Sequence, residues 1–219
     1  MDIAENIKKI RATLPQNVTL VAVSKTKPNE DIIQAYNAGQ RVFGENKVQE
    51  LTDKHENLPN DIEWHMIGHL QTNKVKYIAP FVSLIHGVDS FKLLKEVNKR
   101  ALQNDRLINC LLQIHIAEEE SKFGFSEQEV VDLLLSKELQ LLKNINIIGL
   151  MGMATYTDDD KQVKKEFSSL NTLFTTLKNQ HSSLTTLSMG MSGDYQLAIE
   201  CGSTIVRVGS SIFGSRNYN

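Results

Sequence analysis

Short apolar runs alternate with longer stretches of helical periodicity along the whole chain. Eight of these runs have the length and the Val, Ile and Leu content of buried strands. They predict strands over residues 19–24, 41–44, 63–67, 84–87, 109–115, 145–151, 186–189 and 205–208. The regular alternation predicts a repeated strand-and-helix unit.

The stretches between the runs carry apolar residues three and four positions apart, which places them on one face of a helix. The clearest sets are Phe91, Leu94, Val97 and Ala101, then Val130, Leu133, Leu134 and Leu141, then Val163, Phe167, Leu170, Phe174 and Leu177. Three segments, "SFKLLKE", "SEQEVVDLL" and "TDDDKQV", have at or near their start a Ser or Asp that suits a helix N-cap. The first 14 residues predict one further amphipathic helix, with Ile3, Ile7, Ile10 and Leu14 on its apolar face.

Strands that alternate with helices indicate a parallel sheet, because each crossover returns the chain to the same end of the sheet. Eight units favour an α/β fold closed as a single (β/α)8 TIM barrel with an additional N-terminal helix. An open doubly wound sheet is the alternative. No Gly-, Pro- or Ser-rich linker divides the chain, so we expect one domain over residues 1–219.

Composition narrows the choice of function. Lys and Arg number 24 against 26 Asp and Glu, a formal charge of -2 that argues against binding to nucleic acid or anionic lipid. No stretch approaches the ~20 apolar residues of a membrane span. Only Cys110 and Cys201 are present, without the spacing of a metal or redox pair, which fits a reducing cytoplasm. We expect a cytoplasmic protein that binds a small molecule.

Polar residues gather where each predicted strand ends, which is where the active site of a barrel lies. "SMGMSGD" and "VRVGSSIFG" follow the seventh and eighth strands and supply Gly, Ser and bare backbone N–H groups suited to a phosphate. Barrels frequently bind phosphate between these two loops. The histidines, His65, His69, His86 and His115, show no metal-ligand spacing and are expected in the core or at the rim.

"AVSKTKP" places Lys25 directly after the first strand, at the predicted barrel mouth. Partial desolvation and nearby positive charge lower the pKa of an amine, and such an amine can form a Schiff base with an aldehyde. A phosphorylated aldehyde or ketone is therefore expected, either a sugar phosphate or pyridoxal phosphate. Arg207 points either toward the ligand at the barrel top or to a structural pairing with Glu45 or Glu200.

Several motifs, in order, resemble the YggS/PROSC family of pyridoxal 5′-phosphate homeostasis proteins. They are "AVSKTKP", "FGEN..QE", "WHMIGHLQTNK", "SKFGF", "GLMGMA", "SMGMSGD" and "GSTIVRVGSSIFGSRNY". The resemblance covers nearly the whole chain, and it implies a single barrel like the N-terminal domain of alanine racemase. It also implies pyridoxal 5′-phosphate as the cofactor, held as a covalent aldimine by Lys25.

The resemblance assigns the other cofactor-binding positions one by one. Ser192, Gly209 and Ser210 match phosphate-binding groups, and Ser210 stands where many members have Thr. Arg207 matches the arginine that faces the pyridine nitrogen, and Asn46 lines the same pocket. The sequence departs from the family pattern at two positions: Lys47 replaces a frequent Tyr, and His69 occupies a variable position. Both are expected to affect the rim of the cofactor pocket.

The expected function is a non-catalytic one: holding the cofactor for intracellular vitamin B6 homeostasis. Arg207 leaves the ring a weaker electron sink, and the chain ends right after the eighth unit, without a second domain to carry an opposing base. A minimal amino-acid racemase is the alternative, and a class I aldolase is a weaker third hypothesis. A monomer is the simpler expectation, and apoenzymes that need the cofactor are candidate partners that the sequence does not identify.

Overall fold

In the computed structural model, which describes residues 2–119 and 123–214, eight parallel strands form a closed barrel in sequence order. The strands are β1 (Thr19–Val23), β2 (Val42–Glu45), β3 (Glu63–Met66), β4 (Leu84–Val88), β5 (Ile108–Gln113), β6 (Ile145–Met151), β7 (Thr186–Ser188) and β8 (Ile205–Val208). The predicted (β/α)8 fold is confirmed, and the open-sheet alternative is wrong.

Helices surround the barrel and connect successive strands. They are α1 (Ile3–Thr13), α2 (Asn29–Asn37), α3 (Val48–Asn57), α4 (Val75–Ile78), α5 (Phe91–Gln103), α6 (Glu127–Leu135), α7 (Lys137–Gln140), α8 (Asp160–Gln180), α9 (Tyr195–Glu200) and α10 (Ser210–Phe213), with a 3-10 turn at Thr72–Lys74. Ser90, Ser126 and Asp159 cap their helices as predicted. None of the helices in the described ranges combines the length and apolar composition of a membrane span.

The pairing of β1 with β8 closes the barrel. Thr19 lies opposite Ile205, and Ala22 lies opposite Val208, so the first and last strands run side by side in parallel. In this register the loop after β1 and the loop after β8 leave the barrel next to each other. The closure therefore brings opposite ends of the chain to one side of the barrel mouth.

Two layers of apolar side chains hold the fold together. The larger cluster lies between the strands and the helices, and Phe43, Trp64 and Phe167 are its largest buried members. A smaller cluster, which includes Val21, Leu84 and Met151, comes from the strands alone and fills the barrel interior. Because neighbouring residues on a strand face opposite sides, β1, β4, β5, β6 and β8 contribute buried residues to both layers.

Two predicted boundaries were wrong in an informative way. β5 ends at Gln113 rather than at residue 115, because Phe125 crosses over its end: the Phe125 amide donates to the Gln113 carbonyl at 2.8 Å. The helical pattern over residues 130–141 breaks at Ser136, which ends α6 and whose hydroxyl accepts from the Leu139 amide to start α7. Leu141, expected on the buried face, is 74% exposed.

Gly149 provides a test of the strand packing. A Cβ at this position would lie 1.7 Å from the Thr186 carbonyl oxygen on the neighbouring strand, and a backbone atom cannot move aside without breaking the sheet. We expect Gly149→Ala to lower the free energy of unfolding by about 3 kcal/mol or more in urea denaturation. Gly193→Ala is the matched control, since its Cβ would meet nothing within 4 Å and stability should be unchanged.

Candidate functional site

A cavity of about 410 Å³ opens at the carboxyl ends of β1, β2, β7 and β8. All six residues predicted to bind a ligand line it: Lys25, Asn46, Ser192, Arg207, Gly209 and Ser210. Apolar side chains, Val23, Ile67 and Met153 among them, form much of the remaining wall. The cavity falls within the size range of small-molecule sites.

Lys25 lies in a tight turn directly after β1. Its side chain is partly buried and lines the cavity beside Lys27. The next residue, Thr26, has a φ of 63°, in the left-handed region that a β-branched residue rarely adopts. Such a conformation persists only where other contacts enforce it.

Those contacts come from an ionic cluster that we call the Lys54 cluster, made of Ser24, Glu45, Glu50 and Lys54. Lys54 Nζ donates to Glu45 Oε1 at 2.7 Å, to Glu50 Oε1 at 2.6 Å and to the Ser24 carbonyl at 2.7 Å. Burial raises the pKa of Glu45, and Lys54 opposes that rise. From the sequence, Glu45 was considered as a possible partner of Arg207, and Lys54 was missed, although the i, i+4 spacing of Glu50 and Lys54 is a visible signal.

The loops after β7 and β8 meet at the part of the cavity wall that adjoins β1. The Gly209 amide donates to Ser192 Oγ at 3.1 Å, which joins two of the predicted phosphate groups directly. A Cβ on Gly209 would lie 3.2 Å from both Val23 Cβ and the Val23 carbonyl oxygen, so β8 approaches β1 closely here. Because Ser192 Oγ accepts from the Gly209 amide, the Ser192 hydroxyl proton can be donated to an anion in the cavity.

Arg207 lies buried inside the barrel, at 4% exposure. Its Nη1 donates to the Ser188 carbonyl at 3.0 Å and to Ser188 Oγ at 2.6 Å, and its Nη2 donates to the Gly152 carbonyl at 3.1 Å. Burial lowers the pKa of Arg207 from 12.5 to about 10, with Asp194 acting in the opposite direction, so the guanidinium remains charged at neutral pH. The alternative pairing with Glu45 or Glu200 is wrong, because those carboxylates contact Lys54 and Lys164 instead.

Two buried histidines extend this network toward the middle of the barrel. His86 Nδ1 lies 3.0 Å from Ser188 Oγ, and His86 Nε2 lies 3.0 Å from His65 Nδ1. Burial lowers the pKa of His65 from 6.5 to about 3, and burial, His65 and Arg207 together lower that of His86 well below 6.5. Both rings are therefore neutral near pH 7, and they lie in the core as the sequence predicted.

A continuous chain of hydrogen bonds runs from Arg207 to His65. Arg207 is a donor only, so Ser188 Oγ accepts from it, and the same oxygen shares a hydrogen bond with His86 Nδ1. His86 Nε2 shares the next hydrogen bond with His65 Nδ1. The chain holds the guanidinium in place at the cavity wall.

Asn46 leaves a buried polar atom available to a ligand. Within the described residues, Asn46 Oδ1 is buried and has no hydrogen-bond partner, although the side chain lines the cavity. A buried amide without a partner is unfavourable unless a ligand completes it. The set as a whole fits pyridoxal 5′-phosphate: an amine for the aldehyde, an amide for the ring, an arginine for the ring nitrogen and a Gly-Ser wall for the phosphate.

The two departures noted in the sequence lie at the rim. Lys47 is exposed, directly before α3, and contributes to a surface groove rather than to the cavity. His69 Nδ1 pairs with Asp89 Oδ2 at 2.9 Å, and its ring stacks on Phe123 with centroids 4.2 Å apart. His115 is also a rim residue, with Nε2 3.0 Å from the Glu119 carbonyl. The motif positions at 121–122 and 215–218 lie outside the described residues.

Comparison with known proteins identifies the family. Residues 1–217 match the family of the alanine racemase N-terminal domain. The pyridoxal phosphate homeostasis protein of Pasteurella multocida (strain Pm70) is 43% identical over 209 residues, 92% of this chain and 88% of the relative. The chain belongs to the pyridoxal phosphate homeostasis protein family.

Solved structures agree with this family membership. PipY of Synechococcus elongatus, described without PLP, has a TM-score of 0.91 and 36% identity, and the match covers 97% of this chain and 100% of PipY. The same protein with PLP bound has a TM-score of 0.88 over the same shares. The expected resemblance and the alanine racemase-like fold of this homeostasis-family protein are confirmed.

The buried histidine pair makes the stability of this homeostasis-family protein depend on pH. The pKa values of His65 and His86 are lower in the folded protein than in the unfolded chain. The two rings therefore add their full contribution to the free energy of unfolding above about pH 6.5, and this contribution is lost as the pH falls. Between pH 6.5 and 5 we expect the free energy of unfolding to fall with a slope approaching about 1.4 kcal/mol per pH unit for each ring. Urea denaturation at several pH values measures this slope.

The variant His86→Gln tests whether the histidine pair causes this pH dependence of stability. Gln retains a hydrogen-bond donor and an acceptor but cannot take up a proton between about pH 5 and 6.5. Its slope should be shallower than that of the unsubstituted protein. Val130→Ala, a buried change on α6, is the control: it should lower stability at every pH without altering the slope. Equal slopes for His86→Gln and the unsubstituted protein would contradict the assignment.

Proposed function

We infer that this protein binds pyridoxal 5′-phosphate and serves cofactor homeostasis by holding it rather than by catalysing a reaction with it. The observation that carries this inference is the meeting of Lys25, Arg207 and the Ser192–Gly209 wall in one cavity. The names of the relatives and the PLP-bound title of PipY support the same ligand. The cofactor, when bound, supplies a reactive aldehyde on a pyridine ring that also carries an anionic phosphate.

Lys25 is the residue proposed to bind the aldehyde. Its Nζ, as the neutral amine, adds to the carbonyl carbon and expels the oxygen as water, which gives a Schiff base. The turn after β1 presents the side chain to the cavity, and Val23 next to it keeps that wall apolar. A covalent but reversible bond masks the aldehyde without consuming it.

The remaining residues orient the ligand. Arg207 stays protonated and is a donor only, so it favours a ring nitrogen that carries no proton. Ser192, Gly209 and Ser210 are proposed to hold the phosphate through hydroxyl and backbone N–H groups. Asn46, whose Oδ1 lacks a hydrogen-bond partner in the described residues, is proposed to contact the ring.

The proposal of holding rather than turnover rests on the titratable groups around the cavity. Among the described residues that line it, Lys27, Tyr156 and Arg207 are the titratable side chains besides Lys25. Lys27 Nζ donates to the Phe213 carbonyl at 2.8 Å, and Tyr156 is 96% exposed. A racemase needs a second acid or base held within reach of the substrate, and a fully exposed side chain is not held in that way.

The proposal also covers domain organisation, location, oligomeric state and partners. We propose that the chain acts as one cofactor-binding domain, works in the cytoplasm and functions as a monomer. Apoenzymes that require the cofactor are the proposed recipients. These parts rest on composition, on the absence of a sequence linker and on the homeostasis role named for the relatives.

The role of Lys25 can be tested by trapping the bond. We expect purified protein loaded with pyridoxal 5′-phosphate to show a visible absorbance band that borohydride bleaches, with the reduced adduct on the peptide that carries Lys25 by mass spectrometry. Lys25→Ala should lose the band. Lys47→Ala, an exposed lysine outside the cavity, is the control and should keep it. An adduct formed only with sugar phosphates would instead favour the aldolase hypothesis.

Turnover separates the carrier from the racemase. Single-enantiomer amino acids incubated with loaded protein should show no inversion beyond the rate of free cofactor at the same concentration, measured by chiral chromatography. The physical reason is that, of the titratable side chains among the described cavity residues, Lys27 is held by the Phe213 carbonyl and Tyr156 is exposed, so neither is placed as a second acid or base for a substrate. Inversion that depends on Lys25 and exceeds the free-cofactor rate would overturn the carrier proposal.

A further inference from the structure

The Lys54 cluster lies on the outer side of the barrel wall, behind the turn that carries Lys25. Gly44 faces the interior, where its Cβ would touch Val21 and Ile67, so the next residue, Glu45, faces the helix layer. Lys54 reaches Glu45 from α3 and is only 5% exposed. None of the four cluster residues lines the cavity.

The cluster holds the residue before Lys25 at two atoms. Lys54 Nζ binds the Ser24 carbonyl at 2.7 Å, and the Ser24 hydroxyl donates to Glu45 Oε1 at 2.6 Å. Ser24 is fully buried, and its amide donates to the Gly44 carbonyl on β2 at 3.1 Å. The chain therefore cannot rotate at Ser24 without breaking a buried ionic contact.

The cluster also holds the residue after Lys25. The Thr26 amide donates to Glu50 Oε1 at 2.5 Å, and the same oxygen accepts from Lys54 at 2.6 Å. This contact accounts for the left-handed φ of Thr26, because the amide must turn toward α3 to reach the carboxylate. Lys54 and Glu50 thus tie the two neighbours of Lys25, Ser24 and Thr26, to α3.

We propose that Lys54 and Glu50 are positioning residues for Lys25: they fix the turn so that its amine meets the aldehyde in the correct geometry. The inference rests on the proposed function, since it concerns how fast the covalent bond forms. The Ser192–Gly209 wall lies on other loops and does not depend on the cluster. Loss of the cluster should therefore slow covalent attachment while leaving non-covalent recognition of the phosphate and ring intact.

Two ligands separate these effects. Pyridoxal 5′-phosphate forms the covalent bond, whereas pyridoxine 5′-phosphate has a hydroxymethyl group in place of the aldehyde and cannot form it. For Lys54→Met and Glu50→Ala we expect the rate of covalent attachment, followed by stopped-flow absorbance, to fall about tenfold or more because the amine is misplaced. The affinity for pyridoxine 5′-phosphate should stay within about twofold of the unsubstituted protein, since the phosphate wall is unchanged.

Three comparisons guard against a merely structural effect. Glu50→Gln keeps the acceptor for the Thr26 amide and should restore most of the rate. Asp53→Ala, an exposed carboxylate on the same helix, should match the unsubstituted protein. Lys54→Met leaves Glu45 buried without its cation, so if it does not fold by circular dichroism, Glu50→Ala carries the test, because that side chain is 23% exposed.

The outcomes are distinct. A selective loss of attachment rate in Glu50→Ala with recovery in Glu50→Gln supports the proposal. An unchanged rate in Glu50→Ala, or an equal loss of rate and of pyridoxine 5′-phosphate affinity, overturns it. Failure of the unsubstituted protein to form any adduct overturns the proposed function instead.

Discussion

The hydrogen-bonded pairing of β1 with β8 is the constraint on which the cavity depends. Lys25 follows β1 and Gly209 follows β8, and only closure of the barrel makes them neighbours, since they lie near opposite ends of the chain. Gly209 approaches Val23 so closely that a Cβ would lie 3.2 Å away. The Lys25 amine and the proposed anion site therefore lie at the ends of two hydrogen-bonded strands, β1 and β8. Backbone geometry, rather than mobile side chains, sets the distance between them.

Buried charges are stabilised differently in the barrel interior and in the layer between the strands and the helices. Inside the wall, Arg207 is balanced by carbonyl and hydroxyl dipoles of Ser188 and Gly152 and by two neutral histidines behind them. Outside the wall, Glu45 and Lys54 form a buried ion pair at 2.7 Å. Asp194 also acts on the Arg207 guanidinium and raises its pKa, against the effect of burial. The positive charges of Lys25, Lys27 and Arg207 at the cavity favour an anionic ligand there.

The sequence predicted much of this arrangement because its signals are local. Strand number and order follow from apolar runs, and Lys25, Ser192, Gly209 and Ser210 follow from loops that any parallel barrel brings to one face. Asn46 and Arg207 were assigned to the ligand by the family resemblance, and both line the same cavity. The Lys54 cluster could not be predicted from the sequence, because its four members lie on three separate segments of the chain. The burial of Lys54 also depends on how α3 packs on β2. The hydrogen-bond partners of Arg207 could not be predicted for the same reason. Ser188 and Gly152 come close to Arg207 only when the sheet closes into a barrel.

The placement of carboxylates is the last consequence of this layering. Among the described residues that line the cavity there is no Asp or Glu, whereas Lys25, Lys27 and Arg207 all reach it. The acids that organise the turn, Glu45 and Glu50, act through the backbone from behind the wall. A carboxylate inside the cavity would repel a phosphate in a medium of low dielectric, where such repulsion is strong. Holding the Lys25 turn by its main chain, from outside the barrel, positions the amine while keeping negative charge out of the cavity itself.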